Sequence, residues 1–138
     1  LTVTTHICRG NFKSTFLFSG GYDDVAEYLG QLNYDGLFLE YDSERAGDFS
    51  PLGKIWNGDK NKRIVLGLIT SKSPELEDKD AVINRIHQAS GQVPLENLAL
   101  STQCGFASTE KGNKLTEQQQ WAKLKLVRDI AREVWDVD

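Results

Sequence analysis

The chain has 138 residues, 39% hydrophobic and 26% charged, which suits one folded domain. With 16 Lys and Arg against 20 Asp and Glu the formal net charge is −4, and without a basic cluster that argues against nucleic-acid binding. No apolar run reaches the roughly 18 residues a membrane span needs, and there is no signal-peptide pattern. Two cysteines in such a chain, Cys8 and Cys104, are expected as reduced thiols of a cytoplasmic protein rather than a bridge. The start at Leu1, directly on a strand-like segment, is what a fragment of something longer or a processed product would show.

The first segment, Leu1 to Cys8, is rich in β-branched residues and reads as a buried strand. Extended chain turns residues two apart to one side, so His6 and Cys8 would share a face, with Ile7 on the other. Arg9-Gly10-Asn11 is a loop signal. The aromatic stretch Phe12 to Phe18 has no clear period, and Ser19-Gly20-Gly21 closes it. That glycine pair lacks the spacing and the Lys-Ser/Thr of a phosphate cradle, and reads as a loop into a helix.

From Tyr22, residues Val25, Ala26, Tyr28, Leu29 and Leu32 recur at helical spacing, with Asp23 and Asp24 in the first turn. Asp35 to Tyr41 predicts a second buried strand carrying Glu40 at its C-terminal end. A charged loop, Asp42 to Asp48, follows. Ser50-Pro51 reads as an N-cap and first helical residue of a short helix towards Trp56. Arg63 to Thr70 is the clearest strand, near-continuously apolar as in sheets covered on both faces. After Ser73-Pro74 a helix is predicted from about Lys79 to Gln92, then a fourth strand at Leu98–Ser101. A capping box at Thr116 and Gln119 opens the last helix, whose predicted stripe includes Trp121, Leu124, Val127 and Ile130.

This β-α-β-α-β-α-β-α order without hairpin signals predicts a parallel sheet with right-handed crossovers. Four such units make either a small doubly wound domain or half of an eight-stranded barrel, and both place their sites at the C-terminal strand ends. His6 and Cys8, Glu40 and Cys104 all fall there. Singly, each has an ordinary reading: a cysteine as a small buried apolar residue, Glu40 as a solvated strand end. Jointly, one nitrogen, two sulfurs and one oxygen suit Zn2+ far better than magnesium or calcium. His87 lies within a helical pattern and reads as a surface residue.

The same residues carry a family resemblance. Thr5-His6-Ile7-Cys8, Phe38-Leu39-Glu40 with its Ser43-Glu44-Arg45 sequel, and Gln103-Cys104-Gly105 resemble the zinc-binding half of cobalamin-independent methionine synthase, over Leu1 to Trp135. Gly20-Gly21-Tyr22, Glu40-Tyr41-Asp42, Leu66-Gly67-Leu68 and Gln103 to Ser108 resemble the short, single-barrel branch of that family. The resemblance implies an α/β fold, the C-terminal half (four βα units, parallel strands) of a TIM (β/α)8 barrel, spanning residues 1–138. It implies His6, Cys8, Glu40 and Cys104 as zinc ligands. It also implies transfer of a methyl group from 5-methyltetrahydrofolate, or its polyglutamate, to the thiol of homocysteine, giving methionine.

A zinc ion so held lowers the pKa of an incoming thiol, and Glu40, the hardest ligand, is the one expected to yield its place. A neutral amine is a poor leaving group for methyl, so such a donor needs protonation or electrostatic help. In the longer enzymes a histidine in the loop after the third of these strands serves as proton carrier. Here that loop is Thr70 to Pro74, and Lys72 takes about that position. Lys72 is therefore a candidate for binding an anionic group of the donor, and no residue is assigned a catalytic role of its own. Two other readings stay open: a related thiol methyltransferase with a different donor, and a non-catalytic zinc-binding interaction module. Half a barrel leaves unpaired edges, so the expected partner is the missing N-terminal half-barrel or a second copy of this chain.

Overall fold

A computed structural model of the chain describes residues 1–9, 11–12, 15–16, 20–107 and 110–137. In chain order the elements are β1 (Thr4–Ile7), a short pair β2 (Asn11–Phe12) and β3 (Thr15–Phe16), α1 (Ala26–Gln31), β4 (Gly36–Glu40), α2 (Leu52–Trp56), β5 (Arg63–Ile69), α3 (Lys79–Ser90), β6 (Leu98–Thr102) and α4 (Glu117–Trp135). Strands β1, β4, β5 and β6 form one parallel sheet in that spatial order. Neighbours in space are thus neighbours in the βα sequence.

The antiparallel pair β2–β3 was not expected. Its connection, Lys13-Ser14, has none of the Asn-Gly or Asp-Gly chemistry that marks such turns in sequence. The remainder of the Phe12–Phe18 stretch and Ser19 lie outside the described residues.

One face of the sheet is covered by helices. Leu37, Leu39, Ile64 and Leu66 are at most 1% exposed and pack with Ala26, Ile55, Ile86 and Ile130 in one core. Each fully buried Leu or Ile contributes about 1.5–3 kcal/mol relative to leaving it in water. The residues that alternate with these, Phe38 and Val65, turn the other way and line an open cleft of about 540 Å3 with Thr4 and Ala99. Helices α1 and α2 approach closely at Gly30, where a Cβ would stand 2.2 Å from the Lys54 carbonyl oxygen.

Two local expectations change. Ser50 does not cap α2: its hydroxyl donates to Asp48 Oδ1 at 2.6 Å and its amide to the same oxygen at 2.9 Å, a local turn that competes with capping. The stripe of α4 is also displaced. Thr116 and Gln119 do form the capping box, but Trp121 is 61% exposed, its indole donating to Glu117 Oε1 at 3.2 Å. Lys123 is buried instead, because its ammonium donates to both Glu77 oxygens at 2.9 and 3.0 Å. Glu77 in turn accepts the Thr70 amide at 2.9 Å, which ties α4 to the end of β5.

Candidate metal centre

The strands end where the sequence places its candidate ligands. Glu40 closes β4 opposite Gly67 of β5 and is wholly buried. A carboxylate so placed must be paired and hydrogen-bonded, and each of its oxygens is. Oε1 lies 3.1 Å from His6 Nε2. Oε2 accepts the Arg9 amide at 3.1 Å and Arg45 Nη2 at 3.2 Å. Beneath it the Tyr22 hydroxyl accepts the Glu40 amide at 2.7 Å and donates to the Ile7 carbonyl at 3.2 Å. Arg9 closes the ring by donating to the Arg45 carbonyl at 2.7 Å.

Burial alone would push the Glu40 carboxyl up. The His6 hydrogen bond, the Arg9 amide and the charges of His6 and Arg45 outweigh it and hold the group below the usual carboxylate range. Burial raises the Cys104 thiol, only partly offset by the Gly105 amide, and raises the Tyr22 phenol strongly. As the protein stands, Glu40 is an anion, while Cys104 and Tyr22 keep their protons at neutral pH.

His6, Glu40 and Cys104 bring one ligand atom each to within 4.8 Å of one another. Donors to a shared zinc ion stand about 2.0–2.3 Å from it, so the three need only small movements to bind a common cation. A nitrogen, a sulfur and a carboxylate oxygen fit a borderline-soft ion of the zinc kind and not magnesium. The group opens on a cleft of about 400 Å3 lined by Thr5, His6, Phe38 and the 101–105 segment.

Cys8 stands outside that group. β1 ends at Ile7, so the strand alternation that would pair Cys8 with His6 stops one residue short. The following amide, that of Arg9, goes to the Glu40 carboxylate rather than to a backbone carbonyl of β4. Cys8 is exposed, yet close enough that its charge adds to the upward push on Cys104.

Lys72 is not a solvated loop residue. Its ammonium pairs with Asp42, their side chains 12% and 2% exposed, and donates to Gln103 Oε1 at 3.1 Å. The Ser71 hydroxyl donates to the same oxygen at 3.0 Å. These contacts join the ends of β4, β5 and β6 just before Cys104. His87 is exposed on α3, as expected. Sequence reasoning gave no role to Arg9, Tyr22, Arg45, Asp42 or Gln103. The available signal was Arg45 itself, a basic residue five positions beyond a strand-end glutamate.

Among the described residues no helix is long and apolar enough to cross a membrane. The sequence model of the family described as "Cobalamin-independent synthase, Catalytic domain" matches residues 1–133. Two proteins of Bacillus subtilis (strain 168), the uncharacterized proteins YxjH and YxjG, are 61% and 60% identical over 136 residues, 98% of this chain in each case. The chain spans 36% and 35% of their lengths, about a third. The crystal structure of the "Putative Vitamin-B12 Independent Methionine Synthase" from Listeria monocytogenes matches at 42% identity and TM-score 0.72, over 98% of this chain and 35% of that one. A B12-independent methionine synthase from Shewanella sp. W3-18-1, in complex with selenomethionine, shares the fold at TM-score 0.76 and 23% identity, over 98% and 39%. The four parallel βα units are thus the expected C-terminal half of a TIM (β/α)8 barrel. The chain belongs to the cobalamin-independent methionine synthase family, in its catalytic domain and in the short single-barrel form.

Proposed function

We propose that residues 1–138 are the zinc-binding half-barrel of a methyltransferase that makes methionine from homocysteine, with 5-methyltetrahydrofolate or its polyglutamate as donor. The observation that carries this reading is the convergence of His6, Glu40 and Cys104 at the C-terminal strand ends, in a chain of this family. Zinc bound there supplies the positive charge that keeps a thiol ligand ionised at neutral pH. His6, Cys8 and Cys104 would be the fixed side of the site, and Glu40 the ligand that gives way. In the transfer the thiol sulfur forms a bond to the methyl carbon, the carbon–nitrogen bond of the donor breaks, and the nitrogen takes up a proton.

The rest of the barrel comes from the remainder of a longer protein or from a second copy, since β1 and β6 end the sheet among the described residues. The cytoplasm suits such chemistry and two cysteines that form no disulfide. One observation favours a second reading, a thiol methyltransferase with another donor: Lys72, the candidate for gripping a folate anion, is already engaged by Asp42 and Gln103. A structural zinc module is the third outcome of the test. In zinc-edge absorption on the zinc-loaded chain, homocysteine is expected to add about one sulfur to the metal shell and remove one oxygen. An unchanged shell would mean a closed structural site and overturn both methyltransferase readings.

A further inference from the structure

The two oxygens of Glu40 have different partners. Oε1 faces Nε2 of His6, itself a candidate ligand, at 3.1 Å. Oε2 is held by the Arg9 amide and by Arg45. The side chains of Glu40 and Arg45 are 0% and 4% exposed, so water supports this pair very little. A buried carboxylate that released a cation with no other partner would be left as a stranded charge, which proteins avoid at high cost. Arg45 pairs with the oxygen that does not face His6, so a cation bound on the His6 side leaves this contact in reach. The backbone that carries the Arg45 side chain is itself held, since Arg9 Nη2 donates to the Arg45 carbonyl at 2.7 Å. The support is therefore built, not incidental.

Resting on the zinc reading above, we propose that Arg45 is a positioning residue that grips Glu40 by its second oxygen and makes it an exchangeable ligand. Glu40 can yield Oε1 to an incoming thiol and remain buried and paired. Arg45 also competes with any cation for the same carboxylate, since two positive charges share one negative charge at short range. Removing it draws Glu40 towards the cation and makes it harder to displace. Metal binding and thiol binding should therefore move in opposite directions. A residue that merely supports the fold would weaken both.

The test uses the full chain with Arg45→Gln and Arg45→Lys. Zinc affinity is read by competition with a chromogenic chelator without thiol, and homocysteine affinity by calorimetry on the zinc-loaded protein. Arg45→Gln is expected to bind zinc several-fold tighter and homocysteine about tenfold more weakly, the scale usual for partners of metal ligands. Arg45→Lys keeps the charge but loses the planar reach of arginine, and is expected to shift both affinities in those same directions by about twofold. It carries the test by itself if the glutamine variant does not fold. Affinities that fall together, or a variant indistinguishable from the parent, overturn the proposal. Failure of the zinc reading looks different, because the unsubstituted chain would then bind no zinc or take up no thiol.

Discussion

Replacing Cys104 by serine is expected to reduce the zinc content of the chain from near one ion to less than about a tenth of that. Changing a mere partner of a metal ligand typically costs 10–100-fold in affinity, and loss of a sulfur donor removes more. The substitution is nearly isosteric at a half-buried position. The Thr102 hydroxyl bonds the backbone carbonyl of Cys104, not its thiol, so the turn keeps its anchor. Metal analysis after dialysis, with circular dichroism to show an intact fold, reads the result. Zinc retained at parental stoichiometry would remove Cys104 from the site. Cys8→Ser, measured alongside, decides whether the thiol just beyond β1 joins the other three donors once an ion is present.

Gly67→Ala is expected to destabilise the protein by about 3 kcal/mol and to weaken zinc binding roughly tenfold. A Cβ at position 67 would stand 2.7 Å from the Leu39 carbonyl oxygen, 2.9 Å from Gln103 Cα and 3.2 Å from the Thr102 carbonyl oxygen. All three are backbone atoms, so no side chain can rotate aside and the strands themselves must part. The position lies between the two ends of the site, opposite Glu40 on β4 and against the segment that leads from β6 to Cys104. One methyl group therefore separates two of the donors. Urea denaturation and chelator competition measure the two effects. A loss below about 0.5 kcal/mol, within the range of an ordinary surface change, would show that the sheet yields there freely.

The parallel frame was legible because β4, β5 and β6 are apolar runs bounded by turn residues, and because the helices carry caps and apolar spacing. The convergence of His6, Glu40 and Cys104 followed from that topology alone, since parallel strands bring their C-terminal ends to one edge. What was not legible depended on side-chain reach. Strand alternation predicts Cys8 beside His6 only while the strand continues, and the Arg9 amide ends it by turning to Glu40. The helix α4 buries a lysine that apolar spacing alone reads as solvent-facing, and Glu77, 46 residues away, makes that burial tolerable. Lys72 and Arg45 likewise look like loop charges until their buried partners, Asp42 and Glu40, are placed beside them.

His6 belongs to the first strand of the sheet and Cys104 follows the last, while Glu40 lies on the strand next to the first. An ion held by the three is therefore a cross-link between the two margins of the sheet, closing a loop over most of the chain. The entropy removed from an unfolded chain grows with the logarithm of the loop closed, so widely separated anchors are the most effective ones. Among the described residues β1 and β6 are paired on one side only, so local opening of this chain by itself costs least there. Once loaded, neither leaves without breaking a bond to the metal. Slower amide exchange in β1 and β6 together on zinc binding is the expected sign, and exchange unchanged at both margins would show that the ion does not join them. In the proposed reading, the ion would then fasten the two margins as well as bind a thiol.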